Sequence, residues 1–295
     1  MRRTIWKCLI QKKHMLVGCA LLMLIILFAF LGPYVSPYTY EQQIRGEESL
    51  PPSLEHPFGT DRLGRDLMVR CMIGTRISLL VGVLSALTVL VIGSVYGAIA
   101  GMLGGMADTI MMRVAEIIYA IPEILFIIVI KIIIEEPLEH LIENVSILRP
   151  LQKVGSSLIA IFLVYGSLYW VGMARMIRGR ILQIKEMEYV MAAKALGCGK
   201  VRLLFRHLLP NCTGQMITMV TLQIPSAIFT ESFLSFLGLG VAAPMASLGS
   251  LASDALNGFV SYPYRMLFPA GLISLMILIF HQLGDGLQEV IGKGG

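Results

Sequence analysis

Charged residues are scarce in this chain. They make up 15% of its 295 residues, whereas hydrophobic residues make up 56%. Soluble domains carry about 25% charged residues, so this composition indicates a membrane protein instead. The five cysteines show neither a disulfide framework nor a CxxC pattern, and none of the five histidines has metal-ligand spacing. We therefore predict no metal site, and we interpret the cysteines as apolar packing residues.

Motifs for catalysis are also missing. The sequence contains no GxSxG nucleophile elbow. The tetrapeptide GCGK at 197–200 is not a phosphate-binding loop, because Lys194 stands where that loop needs glycine and Val201 where it needs Ser or Thr. We predict that the chain is not an enzyme and has no cofactor of its own. Uphill transport by such a chain requires an ion gradient or an energy-supplying partner.

Long apolar runs are what the sequence has in abundance. A membrane-spanning helix needs about 20 mostly apolar residues. Six runs meet or approach this requirement, and they predict an all-α membrane protein with six transmembrane helices. Pro122 lies within the third run and predicts a kink there. The six runs are Met15–Leu31, Ile77–Leu103, Ile110–Ile134, Ser156–Ile177, Met216–Leu239 and Met266–Gly284.

The placement of basic residues predicts the orientation. Five Lys or Arg residues and no acid precede the first run, so the N-terminus is expected in the cytoplasm. Six crossings then place Met173–Gly214 and the C-terminus there too, and Met173–Gly214 carries eight basic and two acidic residues. A cleaved signal peptide fits less well, because no small-x-small site follows the apolar run. The charge asymmetry explains the net charge of +5 without a nucleic-acid partner.

Two features within the predicted spans concern packing. Gly93, Gly97, Gly101 and Gly105 recur every four residues, which places them on one helical face where a second helix can approach closely. We favour packing within the chain over a subunit interface. Glu231 lies at membrane depth, where a carboxylate must face protein or water. It either lines a translocation pathway or joins two helices by hydrogen bonds, and both alternatives stay open.

The segment Glu188–Asn211 is basic and helix-forming. We predict a helix over Glu188–Leu196, a break at the following glycines, and a second helix over Lys200–Leu209 that ends at Pro210. Its apolar side chains form a ridge among four cations, which suits docking into a groove of a soluble partner. The alternative is a helix lying on anionic lipid. The ridge is predicted from Ala192, Ala193, Leu196, Val201, Leu204 and Leu208.

The segment between the first two runs carries turn and capping residues. They lie in the stretch HPFGTDRLGRD at 56–66 and precede an amphipathic stretch that leads into the second run. The residues concerned are Gly59, Thr60, Asp61, Gly64, Arg65 and Asp66.

The basic segment resembles the EAA loop of permeases of ATP-binding-cassette (ABC) importers. That loop has Glu-Ala-Ala, a glycine four residues later and a distant Leu-Pro; this chain has Met191-Ala192-Ala193, Gly197 and Leu209-Pro210. Met191 replaces the family's glutamate. Three further stretches resemble the second permease of dipeptide, oligopeptide and nickel importers: HPFGTDRLGRD with TRISLLVG, ESFLSFLGLG at 231–240, and FHQLGDGLQE at 280–289. Leu248 stands where this branch is expected to have tryptophan, and Lys131–Gly155 is longer and more acidic than usual.

The resemblance implies a type I ABC importer permease in the cytoplasmic membrane of a prokaryote. It implies a homologous second permease, two cytoplasmic ATPases that bind ATP and Mg²⁺, and an extracytoplasmic binding protein. Peptides are the expected cargo, and nickel is the alternative. The expected division is 1–75 (first helix and outer loop), 76–286 (transmembrane domain) and 287–295 (tail). Coupling to the ATPase is expected from Met191, Ala192, Ala193, Leu196, Gly197, Leu209 and Pro210.

Two other classes of membrane protein fit less well. A self-contained secondary transporter needs several polar sites inside the membrane, often on broken helices in repeated halves. A membrane-embedded enzyme needs a cluster of acid, base or metal-binding groups. The sequence offers one deep carboxylate and no clear internal repeat.

Overall fold

The computed structural model describes residues 13–145, 156–240 and 245–292, and these residues are helical or irregular. Within them, one isolated β-bridge joins Thr60 to Asp66. The helices are α1 (Lys13–Phe30), α2 (Gly32–Val35), α3 (Leu67–Leu103), α4 (Gly105–Tyr119), α5 (Glu123–Asn144), α6 (Ser156–Leu168), α7 (Trp170–Lys185), α8 (Glu188–Ala195), α9 (Lys200–Leu203), a π-helix (Leu204–Leu208), α10 (Leu209–Phe236), α11 (Leu248–Leu256) and α12 (Tyr264–Gly292).

Four helical stretches in the described part of the chain are long and apolar enough to cross a membrane. They are Leu67–Leu103, Ile159–Lys185, Lys200–Phe236 and Tyr264–Val290. The pair α4 and α5 makes a fifth if it is counted as one broken span, and His14–Phe30 is a shorter apolar helix. The chain is therefore an all-helical, multi-pass membrane protein.

The third predicted span is broken rather than kinked. Helix α4 ends at Tyr119, α5 begins at Glu123, and their axes differ by 87°. Pro122 is the N-cap residue of α5 and has no N–H group to continue the hydrogen bonding of α4. The fourth span passes from α6 to α7 at Tyr169 and stays continuous, because the Tyr169 amide still donates a hydrogen bond to the Tyr165 carbonyl oxygen (3.0 Å).

Helix α3 begins ten residues before the predicted start of its span at Ile77. The Asp66 side chain accepts a hydrogen bond from the Val69 amide (2.8 Å), which caps the first turn. The helix then extends over 37 residues to Leu103, about 55 Å at the usual helical rise. It is the central helix against which α7, α10 and α1 pack.

Three of the four predicted packing glycines lie between α3 and α7. A Cβ atom added at Gly97 would lie 2.3 Å from the Ala174 carbonyl oxygen, and similar atoms at Gly93 and Gly101 would also overlap α7. Gly105 does not share this contact. Helix α3 ends at Leu103, so the four-residue spacing no longer describes one helical face, and Gly105 adopts a φ of +57° with no atom within 4 Å of an added Cβ.

Two of the five apolar clusters among the described residues have the most buried members. One joins α1, α3, α10, α11 and α12 and includes the buried Ile25, Ile228 and Ile279. The other joins α7 to the segment that follows it, with Ile181 and Ile184 packed against that segment. The packing of Ile181 and Ile184 against the basic segment fixes that segment to the bundle.

Candidate functional site

The basic segment folds as a helical hairpin that leads directly into α10. Helix α8 ends in a turn at Gly197, whose φ of +81° favours glycine. After this turn α9 begins at Lys200, continues through the π-helix and joins α10 at Leu209. The predicted first helix is confirmed with its end one residue earlier, at Ala195.

The second predicted helix does not end at Pro210. Leu209 and Pro210 begin α10 instead, and Pro210 lies in its first turn. Proline is accepted there because the first N–H groups of an α-helix have no partner within that helix. The π-helix at Leu204–Leu208 makes this junction possible, because its i→i+5 bonds replace the α-helical pattern just before the proline.

One face of the hairpin is buried against α7. Val190, Leu203 and Leu208 pack into the cluster with Ile181 and Ile184. The prediction that Leu208 lines the docking ridge is therefore wrong. The spacing that placed Leu208 beside Val201 assumed an α-helix, whereas this part of the chain is a π-helix.

The opposite face exposes large apolar side chains. Leu196 is 89% exposed, Val201 71% and Phe205 66%. Together with Met191, which is also exposed, they form what we call the apolar patch. Sequence reasoning missed Phe205, although its spacing of four from Val201 is that of one helical face. The same segment carries four exposed cations: Lys194, Lys200, Arg202 and Arg206.

The predicted alanine positions lie at the edge of this patch. Ala192 is exposed and Ala193 is half-buried, and Gly197 forms the exposed turn beside them. Side chains this small leave a shallow surface between Met191 and Leu196. The exposed side of this segment therefore combines large apolar and small side chains with four cations.

The outer-loop motif forms a compact network of hydrogen bonds. The buried Thr60 hydroxyl accepts a hydrogen bond from the Leu50 amide (2.8 Å) and donates one to the Glu47 carbonyl. The Asp66 carboxylate, besides capping α3, lies 2.8 Å from Nδ1 of the buried His56. These bonds tie the loop to the first turn of α3.

Asp61 organises the tip of the same motif. Its carboxylate accepts hydrogen bonds from Nε of Arg65 (2.6 Å) and from the Leu63 amide (2.8 Å). Gly59 and Gly64 have φ of +76° and +68°, and a Cβ at Gly64 would lie 2.2 Å from the Ile44 carbonyl oxygen. Glycine is required at Gly64 for both reasons.

Arg70 extends this motif into the bundle. Its guanidinium carbon lies 5.1 Å from the ring centroid of Tyr40, and its Nε lies 3.5 Å from Asp61. Burial raises the pKa of Tyr40 above its ordinary value, and the charge of Arg70 offsets part of this rise. Tyr40 therefore stays a neutral phenol at physiological pH and offers its ring face to the cation.

Glu231 is completely buried between α3 and α10. Its carboxylate accepts hydrogen bonds from Ser235 (2.7 Å), from Ser78 of α3 (3.0 Å) and from Ser232 (3.4 Å). The Ser78 hydrogen bond joins α10 to α3 through this carboxylate. Several hydroxyl donors compensate a carboxylate for the loss of water.

Comparison with known proteins decides the family. The sequence model described as "Binding-protein-dependent transport system inner membrane component" matches residues 93–294, and "N-terminal TM domain of oligopeptide transport permease C" matches residues 1–52. The chain belongs to the family of binding-protein-dependent transport permeases. The predicted resemblance is confirmed.

Similar permeases occur in several bacteria. The permease is 41% identical over 281 residues to the oligopeptide transport system permease protein OppC of Bacillus subtilis, covering 95% of this chain and 86% of that protein. It is 42% identical over 287 residues to the dipeptide permease DppC of the same organism, covering 97% and 83%. OppC of Escherichia coli K12 is 36% identical over 272 residues, covering 92% and 83%.

An ion pair that sequence reasoning missed joins α4 to α7 of the permease. Arg178 donates from Nε and Nη2 to both oxygens of Asp108, with Nε–Oδ1 and Nε–Oδ2 distances of 2.9 and 3.1 Å. Asp108 is buried in the first turn of α4. The two residues are 70 positions apart, so no local pattern could reveal the pair.

A cavity of about 650 Å³ between α5, α7, α10 and α12 opens to the outside of this chain, and the Glu123 and His281 side chains that line it are exposed. The Tyr169 hydroxyl donates a hydrogen bond to the Glu123 carboxylate and lies 3.4 Å from the Thr230 hydroxyl. Its ring stacks on Tyr165 with centroids 4.7 Å apart. Among the described residues, no three His, Cys, Asp or Glu side chains are grouped to hold a metal ion.

Proposed function

We propose that this chain is one permease subunit of an ATP-driven importer of peptides. The names of its relatives support peptide cargo, because the Bacillus subtilis proteins are oligopeptide and dipeptide permeases. The subunit itself is non-catalytic and forms half of the translocation pathway. A homologous second permease forms the other half, two cytoplasmic ATPases supply the energy, and an extracytoplasmic binding protein delivers the peptide.

In this proposal the chain crosses the prokaryotic cytoplasmic membrane six times, with both termini inside. The four long spans and the broken α4–α5 pair supply five crossings, and α1 supplies the sixth. Its 18 residues extend about 27 Å, close to the thickness of the hydrocarbon core. The division into 1–75, 76–286 and 287–295 is retained, with the outer-loop motif fixing the first part to α3.

The apolar patch is the observation that carries the coupling role. Outside the membrane spans, large apolar side chains are normally exposed as a group only where a partner covers them. The small residues Ala192, Ala193 and Gly197 suit insertion into a cleft of the ATPase, and the four exposed cations favour an acidic partner surface. Leu209 and Pro210 transmit the contact, since they begin the helix that crosses the membrane next.

The remaining predicted residues have structural roles in this proposal. Glu231 links α10 to α3, and Gly93, Gly97 and Gly101 allow α7 to approach α3. Such links keep the subunit rigid while the ATPases close, so that closure moves whole helices rather than deforming single ones.

Replacing Leu196 by glutamate tests the coupling role. The substitution places a negative charge at the centre of the patch, where the side chain is already 89% exposed, so the fold of the permease is preserved. We expect peptide uptake to fall at least tenfold, about 1.4 kcal/mol of lost interaction, and the ATPases to be lost during purification.

Leu54→Glu is the matched control for purification, because Leu54 is fully exposed on the segment between α2 and α3. This variant should retain the ATPases. Unchanged uptake and unchanged copurification in Leu196→Glu would refute docking and leave a lipid-facing hairpin as the explanation.

A further inference from the structure

The cavity is an open pocket beside the break between α4 and α5. Pro122 and Glu123 line it from that break, Tyr169 from the junction of α6 and α7, and Pro225 from within the continuous α10. Interrupted backbone at membrane depth is tolerated where it is buried in protein or lines a water-filled cavity.

The cavity combines apolar walls with one carboxylate. Its polar lining consists of Glu123, Tyr169, Ser226, Thr230 and His281, and this lining contains no Lys or Arg. In the described part of the chain, no basic side chain lies within ion-pair distance of Glu123. The apolar lining consists of Pro122, Ile124, Leu125, Pro225, Phe229, Phe233 and Ile277.

Two features hold the Glu123 carboxylate in place as an acceptor. It occupies the first position of α5, where the helix dipole stabilises negative charge. The Tyr169 hydroxyl donates to one of its oxygens, and Tyr169 is fixed in turn by stacking on Tyr165. The Tyr165 hydroxyl donates to the Ala227 carbonyl oxygen (3.1 Å), which anchors the pair to α10.

We propose that Glu123 binds the α-ammonium group of the peptide during its passage, while the apolar walls accept the peptide side chains. This inference rests on the proposed peptide-import function. A carboxylate without a basic partner attracts a cation, and the exposed Glu123 side chain is accessible to one from the pocket. Every unmodified peptide carries an N-terminal ammonium, so a single acidic group serves cargo of any sequence. Tyr169 is a positioning residue, because it orients the carboxylate.

The test compares initial rates of ATP-driven trialanine uptake into proteoliposomes that hold the complete transporter and its binding protein. Wild type, Glu123→Gln and Glu123→Asp are measured between pH 6.5 and 9. The rate ratio of wild type to variant cancels the pH dependence of the binding protein and the ATPases. Glu116→Gln is the matched control, because Glu116 lies on α4, is exposed and pairs with Arg113 (2.9 Å) rather than lining the cavity.

We expect the ratio of wild type to Glu123→Gln to be about tenfold at pH 6.5 and to fall towards one at pH 9. The fall follows from the cargo, because a terminal α-amino group loses its charge near pH 8. Glu123→Asp keeps the charge and should stay closer to wild type at low pH, and Glu116→Gln should give a ratio near one throughout. The other titratable lining groups are Tyr169 and His281, so the fall must persist in a His281→Gln background.

A ratio that stays constant with pH would overturn the inference, because it would mean that Glu123 supports the fold or pairs with a basic residue of the sister permease. A ratio of one at every pH would overturn it as well. Absence of peptide uptake in the wild-type transporter would instead refute the proposed function. The two failures are therefore separate results of the same experiment.

Discussion

Replacing Gly97 by alanine should force α3 and α7 apart. The new Cβ would lie 2.3 Å from the Ala174 carbonyl oxygen and 2.9 Å from its Cα, where ordinary contact begins at 3.4 Å. The shortfall of about 1.1 Å falls on backbone atoms, which no side-chain rotation can relieve. Overpacking costs about 1–3 kcal/mol, whereas alanine improves helix propensity by about 1 kcal/mol, so a net loss of up to about 2 kcal/mol remains.

The assay is thermal unfolding of the purified transporter in detergent, with Gly179→Ala of α7 as the matched control. A Cβ at Gly179 meets no atom within 4 Å, so this variant gains helix propensity without overlap and should unfold at the same or a higher temperature. Gly97→Ala should unfold at a lower temperature than the wild type and than Gly179→Ala. If Gly97→Ala were as stable as Gly179→Ala, the close contact between α3 and α7 would be refuted.

Two further substitutions test single contacts. Asp108→Asn removes the charge that holds Arg178 and should cost about 1–2 kcal/mol of stability, since the arginine is partly exposed. A double-mutant cycle with Arg178→Gln should show coupling between the two sites, and additive losses would argue against the ion pair. Glu231→Leu should cost about 1–3 kcal/mol by leaving the hydroxyls of Ser78 and Ser235 without their acceptor, whereas Glu231→Gln should cost less; equal unfolding temperatures for the two variants would contradict the linking role.

Hydropathy and local signals predicted much of this fold. The long apolar runs identified α3, α10 and α12, because burial in lipid demands continuous apolar sequence. Pro122 indicated the interruption of the third span, and the glycines at 197 and 199 indicated the turn of the hairpin. In each case the cause of the structure lies within a few residues of its effect.

The parts that could not be predicted depend on contacts between distant residues. The link from Glu231 to Ser78 spans 153 positions and the pair of Arg178 and Asp108 spans 70. The π-helix at Leu204–Leu208 was also not predicted, because the composition of these five residues is equally compatible with an α-helix. The angle of 87° between α4 and α5 likewise depends on what each helix packs against.

The continuous helix from Lys200 to Phe236 has a thermodynamic consequence. One end of this 37-residue rod carries part of the apolar patch, and Thr230, near its other end, lines the cavity. No loop lies between them to absorb a displacement, so a ligand bound at either end acts on the same rigid body. Such an effect is reciprocal by thermodynamic linkage. If binding of the proposed ATPase to the patch changes the affinity of the cavity for cargo, then cargo in the cavity changes the affinity of the patch for the ATPase by the same factor. In the proposed transporter, cargo is therefore an allosteric effector of ATPase binding.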